Sequence, residues 1–354
     1  MKSVWMVNKG TEIIEFPDMD LKKYLYFHPG RPVCLPYDQA LKYVGKYTNL
    51  KPCDNPQHYF TDRRMKQLII RDAGIGDLLL MEPLLRKMAE DREIHVITRY
   101  PEVFENNPAI TKTYFMESKG QDVKTEDFDG WEDLRSYSET CESRDKKHRT
   151  DIYNERLYVD ITDHEKEPMI WFGNDEKAKT RRMPDMKYFV VQCDASHSYR
   201  RYERGAELAK HIVDADQKNV VVIMGSNKWV KLEKRHERII DLQGKTTIRE
   251  AMCQVRDADY FIGVDSGLMH VALCCHVPTV AMFSIITPDL RLRYYKGTYK
   301  VISGNVPCIG CGDRHMTVCN YGNRNNDQNF RAPCMDIEPQ KIYDAAMSIQ
   351  PTEK

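Results

Sequence analysis

The chain has 354 residues, 41% of them apolar, with 53 basic and 53 acidic side chains. A formal charge of zero creates no global attraction to DNA or to an anionic membrane, and this apolar fraction excludes disorder over most of the length. No run of about 18 apolar residues offers a membrane span. Eleven cysteines, an odd number scattered along the chain, fit a reducing cytoplasm better than a disulfide framework.

In chain order, "MKSVWMVNKGTEIIEF" breaks its apolar residues with Asn8, Lys9, Gly10 and Glu12, too early for a signal-peptide core. Residues 1–64, rich in proline and aromatics ("HPGRPVCLPYDQA", "KPCDNPQHYF"), read as an extension packed on a first domain, 65–183. That domain opens with the strand "MKQLII", a Gly-Ile-Gly turn and the helix "LLLMEPLLRKMAED", in which Pro83 predicts a kink. The strand "EIHVITRY" follows, then "PEVFENNPAITKTYF" as a short helix leading to a third strand. The charged "GNDEKAKTRRMPDMK" reads as a linker to a second domain, 184–354. There "KYFVVQC", "NVVVIMG", "DYFIGVD" and "VPTVAMFS" are strands, alternating with helices in "RRYERGAELAKHIVDA", in "IREAMCQVRDA" and from Gly267 to about Cys275. Such alternation predicts an α/β fold with covered parallel sheets.

The first glycine turn lacks two parts of a dinucleotide fingerprint: Leu79 follows where a third glycine is needed, and the next strand ends in Thr98 and Arg99 rather than an acid. Taken alone, Asp77 reads as a carboxylate favoured by the helix dipole, worth roughly 0.3–1 kcal/mol. A second signal comes from "DADYFIGVDSGLMHVALCC", a strand that ends in Asp265, Ser266 and Gly267 and passes directly into a helix. The free N–H groups of that helix start form an anion site at the carboxyl edge of a parallel sheet. His270 lies one turn further on the same face; as residues alone, His270 as a core histidine and Asp265 as a cap are equally open.

Asp-x-Asp pairs occur at Asp18/Asp20, Asp127/Asp129, Asp214/Asp216 and Asp257/Asp259, too often to select a metal site, and no catalytic metal is expected. The tail 305–335 carries Cys308, Cys311, Cys319 and Cys334. A C-x2-C pair with two later thiols suits a tetrahedral zinc or iron, with His315 as a substitute ligand; reduced free thiols are the other reading. The tail is not where the chemistry is expected.

From about Met65 to Met347 the sequence resembles the ADP-heptose:lipopolysaccharide heptosyltransferases of glycosyltransferase family 9. The resemblance rests on "GIGDLLLMEPLLRKM", "VVQCDASHSYRRYE", "VVVIMGS" and the long block "LQGKTTIREAMCQVRDADYFIGVDSGLMHVA", in family order. It implies the GT-B architecture, two Rossmann-like domains facing a cleft, here with an N-terminal extension and a cysteine-rich C-terminal tail. It implies an inverting transfer of a sugar from a nucleoside-diphosphate sugar, ADP-heptose being the leading donor, to a hydroxyl of a saccharide, protein or other acceptor. The family's base falls on Asp77, beside Gly76. Its donor and phosphate positions fall on Ser196, Arg200, Gly225, Asp265, Ser266, Gly267, Leu268 and His270, with arginine standing at Arg200 where relatives have lysine. No acid matches the ribose-binding position in "GSNKWVKLEK", so donor base and sugar rest on resemblance alone. The autotransporter heptosyltransferases hold iron in a similar cysteine tail. With the diphosphate assigned to the second domain, Asp77→Asn is expected to leave thermal stability nearly constant. A cytoplasmic, homo-oligomeric enzyme is the reading; a catalytically silent nucleotide-sugar-binding or scaffold protein is the alternative.

Overall fold

A computed structural model describes residues 64–116, 123–141, 145–180, 182–312, 319 and 332–350, together with five N-terminal strands. Those strands are β1 (Ser3–Asn8), β2 (Ile14–Asp18), β3 (Lys23–Phe27), β4 (Pro32–Pro36) and β5 (Leu50–Cys53). β1 pairs antiparallel with β4 and β5, and β2 with β3. The expected packing of this extension on the first domain lies outside the described residues.

The apolar runs after Met65 build two wholly parallel sheets. The first contains β6 (Met65–Ile70), β7 (Arg92–Thr98), β8 (Ile110–Phe115) and β9 (Gly130–Asp133) in the order β8-β7-β6-β9. The second contains β10 (Lys187–Gln192), β11 (Asn219–Met224), β12 (Ile239–Asp241), β13 (Tyr260–Val264), β14 (Thr279–Met282) and β15 (Tyr299–Ile302). Its order is β12-β11-β10-β13-β14-β15. The central strands β11, β13 and β14 are buried at every residue, as expected where helices cover both faces.

Six longer helices connect these strands: α1 (Ile75–Met88), α2 (Arg149–Leu157), α3 (Gly205–Ala215), α4 (Ile248–Arg256), α5 (Gly267–Cys274) and α6 (Pro339–Met347). The kink expected at Pro83 does not interrupt α1, which continues to Met88. From Leu78 to Leu85 every residue of α1 is buried, because α2 and α5 cover the faces that the first sheet does not. A helix apolar all round is what such a position requires. Its one buried acid, Glu82, accepts from Arg86 Nε and from the Met169 amide, each at 3.0 Å. Burial nevertheless pushes the Glu82 carboxyl up to about 7.

The segment expected as a plain linker is pinned. Arg249 of α4 pairs with Glu176 and donates to the carbonyls of Glu102 (3.0 Å) and Trp171 (2.7 Å), so one guanidinium ties the two sheet-bearing halves together. A continuous apolar core runs through both halves as a result.

Candidate active site

The site begins where two helix starts meet. α1 is capped at Gly74 and α5 at Ser266, and neither cap uses a side chain on its helix; the Ser266 hydroxyl donates instead to Gln192 Oε1. The first N–H groups of each helix have no partner within the helix. The approach is close enough to demand glycine: a Cβ on Gly76 would lie 2.4 Å from His270 Cδ2, and one on Gly267 would lie 2.8 Å from Ile75 Cβ. Gly76 is not among the glycines with positive φ, so close contact, not turn geometry, selects it.

His270 is 3% exposed and its Nδ1 lies 2.9 Å from the Tyr295 hydroxyl. Burial is the main reason its pKa falls to about 4, so the ring is neutral. The structure places it as a wedge between α5 and Gly76.

Asp77 sits in the first turn of α1, not at its cap, with its side chain 26% exposed. Arg149 Nε, from the start of α2, lies 3.1 Å from Asp77 Oδ1. Burial opposes ionisation of Asp77, but the guanidiniums of Arg149, Arg291 and Arg71 outweigh it and hold the carboxyl below its usual range. Arg71 is itself anchored to Leu134 O (2.8 Å), Ser138 Oγ (2.8 Å) and Glu139 Oε1 (2.7 Å). Sequence reasoning identified none of these three arginines, because nothing in their local pattern marks them.

Across the cleft, Arg200 Nη2 donates to Ser196 Oγ at 2.7 Å and Nη1 approaches Asp265 Oδ2 at 3.3 Å. The structure thus brings Ser196, Arg200 and Asp265 together beside Ser266, Gly267 and the half-buried Leu268 at the α5 start. Gly225 lies against a different acid: a Cβ there would be 2.8 Å from Asp194 Oδ1, while Asp194 Oδ2 accepts from the Ser226 amide at 3.1 Å. Asp194, 7% exposed, is a residue of this edge that the sequence did not single out.

A cavity of about 40 Å³ is lined by Arg149, the ion-pair partner of Asp77, with Ser138 and Glu139 from the same half and Thr287 and Arg291 from the other. Gly310 and Gly312 complete its wall. These glycines flank Cys311, and their amides donate to Ser284 O (2.9 Å) and Ile285 O (2.6 Å). These backbone hydrogen bonds fold the Cys308–Cys311 loop onto the cavity.

Burial pushes the Cys334 thiol up to about 11, and Cys308, Cys311 and Cys319 add to the rise, which places four thiols in one neighbourhood. Among the described residues no three such groups are arranged tightly enough to grip an ion. His315 lies outside the described residues. Of the Asp-x-Asp carboxylates, Asp129 accepts from the Lys66 amide (2.8 Å), Asp216 from the Lys218 amide (2.8 Å) and Asp259 from the Tyr188 amide (2.8 Å). They hold loops and strand starts.

Comparisons with known proteins bear on this arrangement. Residues 147–321 match the model of glycosyltransferase family 9 (heptosyltransferase). No curated protein matches. Solved structures do: the family 9 glycosyl transferase from Veillonella parvula DSM 2008 superposes with a TM-score of 0.60 at 16% identity, over 80% of this chain and 96% of that one. The E. coli ADP-heptose lps heptosyltransferase II gives 0.63 at 17% identity, over 80% of this chain and 98% of that one. The dodecameric iron-containing heptosyltransferase TibC, solved with ADP-D-beta-D-heptose, gives 0.61 at 13% identity, over 98% of this chain and 90% of that one; it comes from enterotoxigenic E. coli H10407.

The two parallel-sheet halves that meet at α1 and α5 have the fold of these structures, the GT-B architecture. The chain is similar to glycosyltransferase family 9 over residues 147–321. Among the described residues no helix is long and apolar enough to cross a membrane.

Proposed function

We propose that this glycosyltransferase moves a sugar, with heptose as the leading candidate, from a nucleoside-diphosphate sugar to an acceptor hydroxyl with inversion. Residues 65–183 form the acceptor domain and 184–354 the donor domain. The observation that carries the reading is Asp77, an ion-paired carboxylate in the first turn of α1, whose start packs against the start of α5, where Arg200 and Ser196 lie. The acceptor oxygen bonds to the anomeric carbon while the bond from that carbon to the diphosphate oxygen breaks. The hydroxyl proton goes to Asp77 and the electron pair leaves with the nucleoside diphosphate. The α5 N–H groups and the Arg200 guanidinium receive the charge developing on the leaving group, the largest single kind of assistance such a site can give. Asp265 holds Arg200 ready for that task.

ADP is the first ligand to test, because relatives of this fold include proteins solved with or named for ADP-heptose. Replacing Arg200 with Ala should weaken ADP binding by roughly ten- to a hundredfold and adenosine binding far less, the ratio expected for a charge-assisted bond to phosphate. Isothermal titration checks it; equal weakening of both ligands would make Arg200 a structural residue.

The four thiols of Cys308, Cys311, Cys319 and Cys334 have the soft donor chemistry for one structural zinc or iron, which would cross-link the tail. TibC is described as iron-containing. Elemental analysis of chelator-free protein should give about one metal per chain, as a four-thiolate site requires. Because Gly310 and Gly312 line the same cavity as Arg149, the partner of Asp77, removing the metal should lower transfer as well as loosen the tail. Metal-free protein with full activity would remove this part of the reading. A cytoplasmic homo-oligomer completes it; TibC is dodecameric.

A further inference from the structure

We propose that Tyr295 is a positioning residue, whose hydroxyl holds His270 in the tautomer that carries its proton on Nε2, where the starts of α1 and α5 meet. The inference deepens the glycosyl-transfer reading and rests on it for what that proton does. Its basis is a chain of three polar side chains behind the site. His270 and Cys274 lie one turn apart on α5 and share the Tyr295 hydroxyl. The hydroxyl is 2.9 Å from His270 Nδ1, and the Cys274 thiol is its other hydrogen-bonding neighbour. His270 and Tyr295 are both buried.

Burial first, then neighbouring acidic groups that include Glu82 and Glu167, pushes the thiol and the hydroxyl well above their ordinary values, so each keeps its proton. The neutral ring of His270 carries one proton as well. The hydroxyl has a single proton to give, either to Nδ1 or to sulfur. A neutral imidazole nitrogen is a good acceptor and sulfur a weak one, so the phenol donates to Nδ1 and receives the weak S–H bond. With Nδ1 occupied as an acceptor, the ring proton is fixed on Nε2. That nitrogen lies against the start of α1: a Cβ on Gly76 would be 3.0 Å from it. It is not a sealed, unpartnered atom, as Nε2 of His148 and of His211 are. Its N–H therefore adds a donor to the free amides of the two helix starts. The other tautomer would place a lone pair there, which repels the oxygens of an anion.

The test uses the full chain with isotope-labelled histidine, read by nitrogen NMR in wild type, Tyr295→Phe and Cys274→Ala. The ring signals of His270 are assigned by their loss in His270→Gln. Wild type should show Nε2 protonated and Nδ1 unprotonated. Cys274→Ala should keep that tautomer, because the thiol donates to the hydroxyl and does not compete for its proton. Tyr295→Phe keeps the ring packing but removes the hydroxyl, so the tautomer protonated on Nδ1 should appear beside the first. In the same variant ADP binding should weaken by roughly two- to tenfold, the loss expected for one hydrogen bond, and adenosine binding less. A wild-type ring protonated on Nδ1, or a tautomer that switches in Cys274→Ala, overturns the proposal. So does a single unchanged tautomer in Tyr295→Phe, which would leave Tyr295 as packing only, or a mixed tautomer with ADP affinity as in wild type. Should Tyr295→Phe not fold, the wild-type and Cys274→Ala spectra decide alone. Wild type that shows the Nε2–H ring yet binds no ADP sinks the donor reading separately.

Discussion

Asp77→Asn is expected to lower turnover by roughly 10² to 10⁴ while ADP affinity stays near wild type. The substitution keeps the shape of the side chain and one acceptor oxygen but removes the proton acceptor. The structure changes the stability expectation drawn from sequence, because Asp77 is ion-paired: Arg149, 9% exposed, loses its partner in the variant. A cost of about 1–3 kcal/mol follows for leaving that buried guanidinium without its opposite charge. The melting temperature should therefore fall by several degrees rather than stay constant. A pH profile separates a base from a merely structural acid. With its pKa held below the usual 3.8, Asp77 is ionised throughout the neutral range, and the stability it contributes is present above that value and lost as pH falls through the lower folded pKa. Arg149→Gln removes the strongest of the charges that oppose the effect of burial, so the acid limb of kcat/KM should move to higher pH. An unshifted limb, or an Asp77→Asn enzyme with normal turnover, would mean that the base lies elsewhere.

The second large effect is expected at Gly76. A methyl group there would lie 2.4 Å from His270 Cδ2 and 3.0 Å from Nε2. The ring cannot swing aside easily, since it is buried and its Nδ1 is held by Tyr295 at 2.9 Å. Gly76→Ala should cost roughly 1–3 kcal/mol as overpacking. Because Asp77 is the next residue, a shift of about 1 Å in the α1 start is enough to lower turnover on the order of a hundredfold. His270→Ala in the Gly76→Ala background vacates that space and should restore much of the stability. A Gly76→Ala protein with wild-type melting and turnover, or a double variant no better than the single one, would contradict the wedge role given to His270.

What could be read from sequence was local. The runs "MKQLII", "KYFVVQC", "NVVVIMG" and "DYFIGVD" became buried strands because fully covered parallel strands are continuous in apolar residues. The starts of α1 and α5, and the acids beside them, were legible for the same reason: glycine and a cap mark a strand-to-helix turn. β9 escaped because "GWED" is an edge strand with one large apolar residue. α2 escaped because "RTDIYNERL" is mostly polar, although it supplies Arg149. The Arg71, Arg149 and Arg291 cluster comes from three distant segments, and no spacing rule joins them. The approach of the cysteine loop to the cavity that Arg149 lines was equally hidden, since it depends on the Gly310 and Gly312 amides reaching Ser284 and Ile285.

The most direct test of the central claim is proton NMR of the anomeric signal while the full chain acts on ADP-heptose, with and without a candidate acceptor. An inverting GT-B enzyme that uses Asp77 should release the nucleoside diphosphate and give a first sugar product of the opposite anomeric configuration, and Asp77→Asn should abolish the signal change. Retained configuration in the first product, or no cleavage of ADP-heptose or of any other nucleotide sugar supplied, would contradict the mechanism proposed.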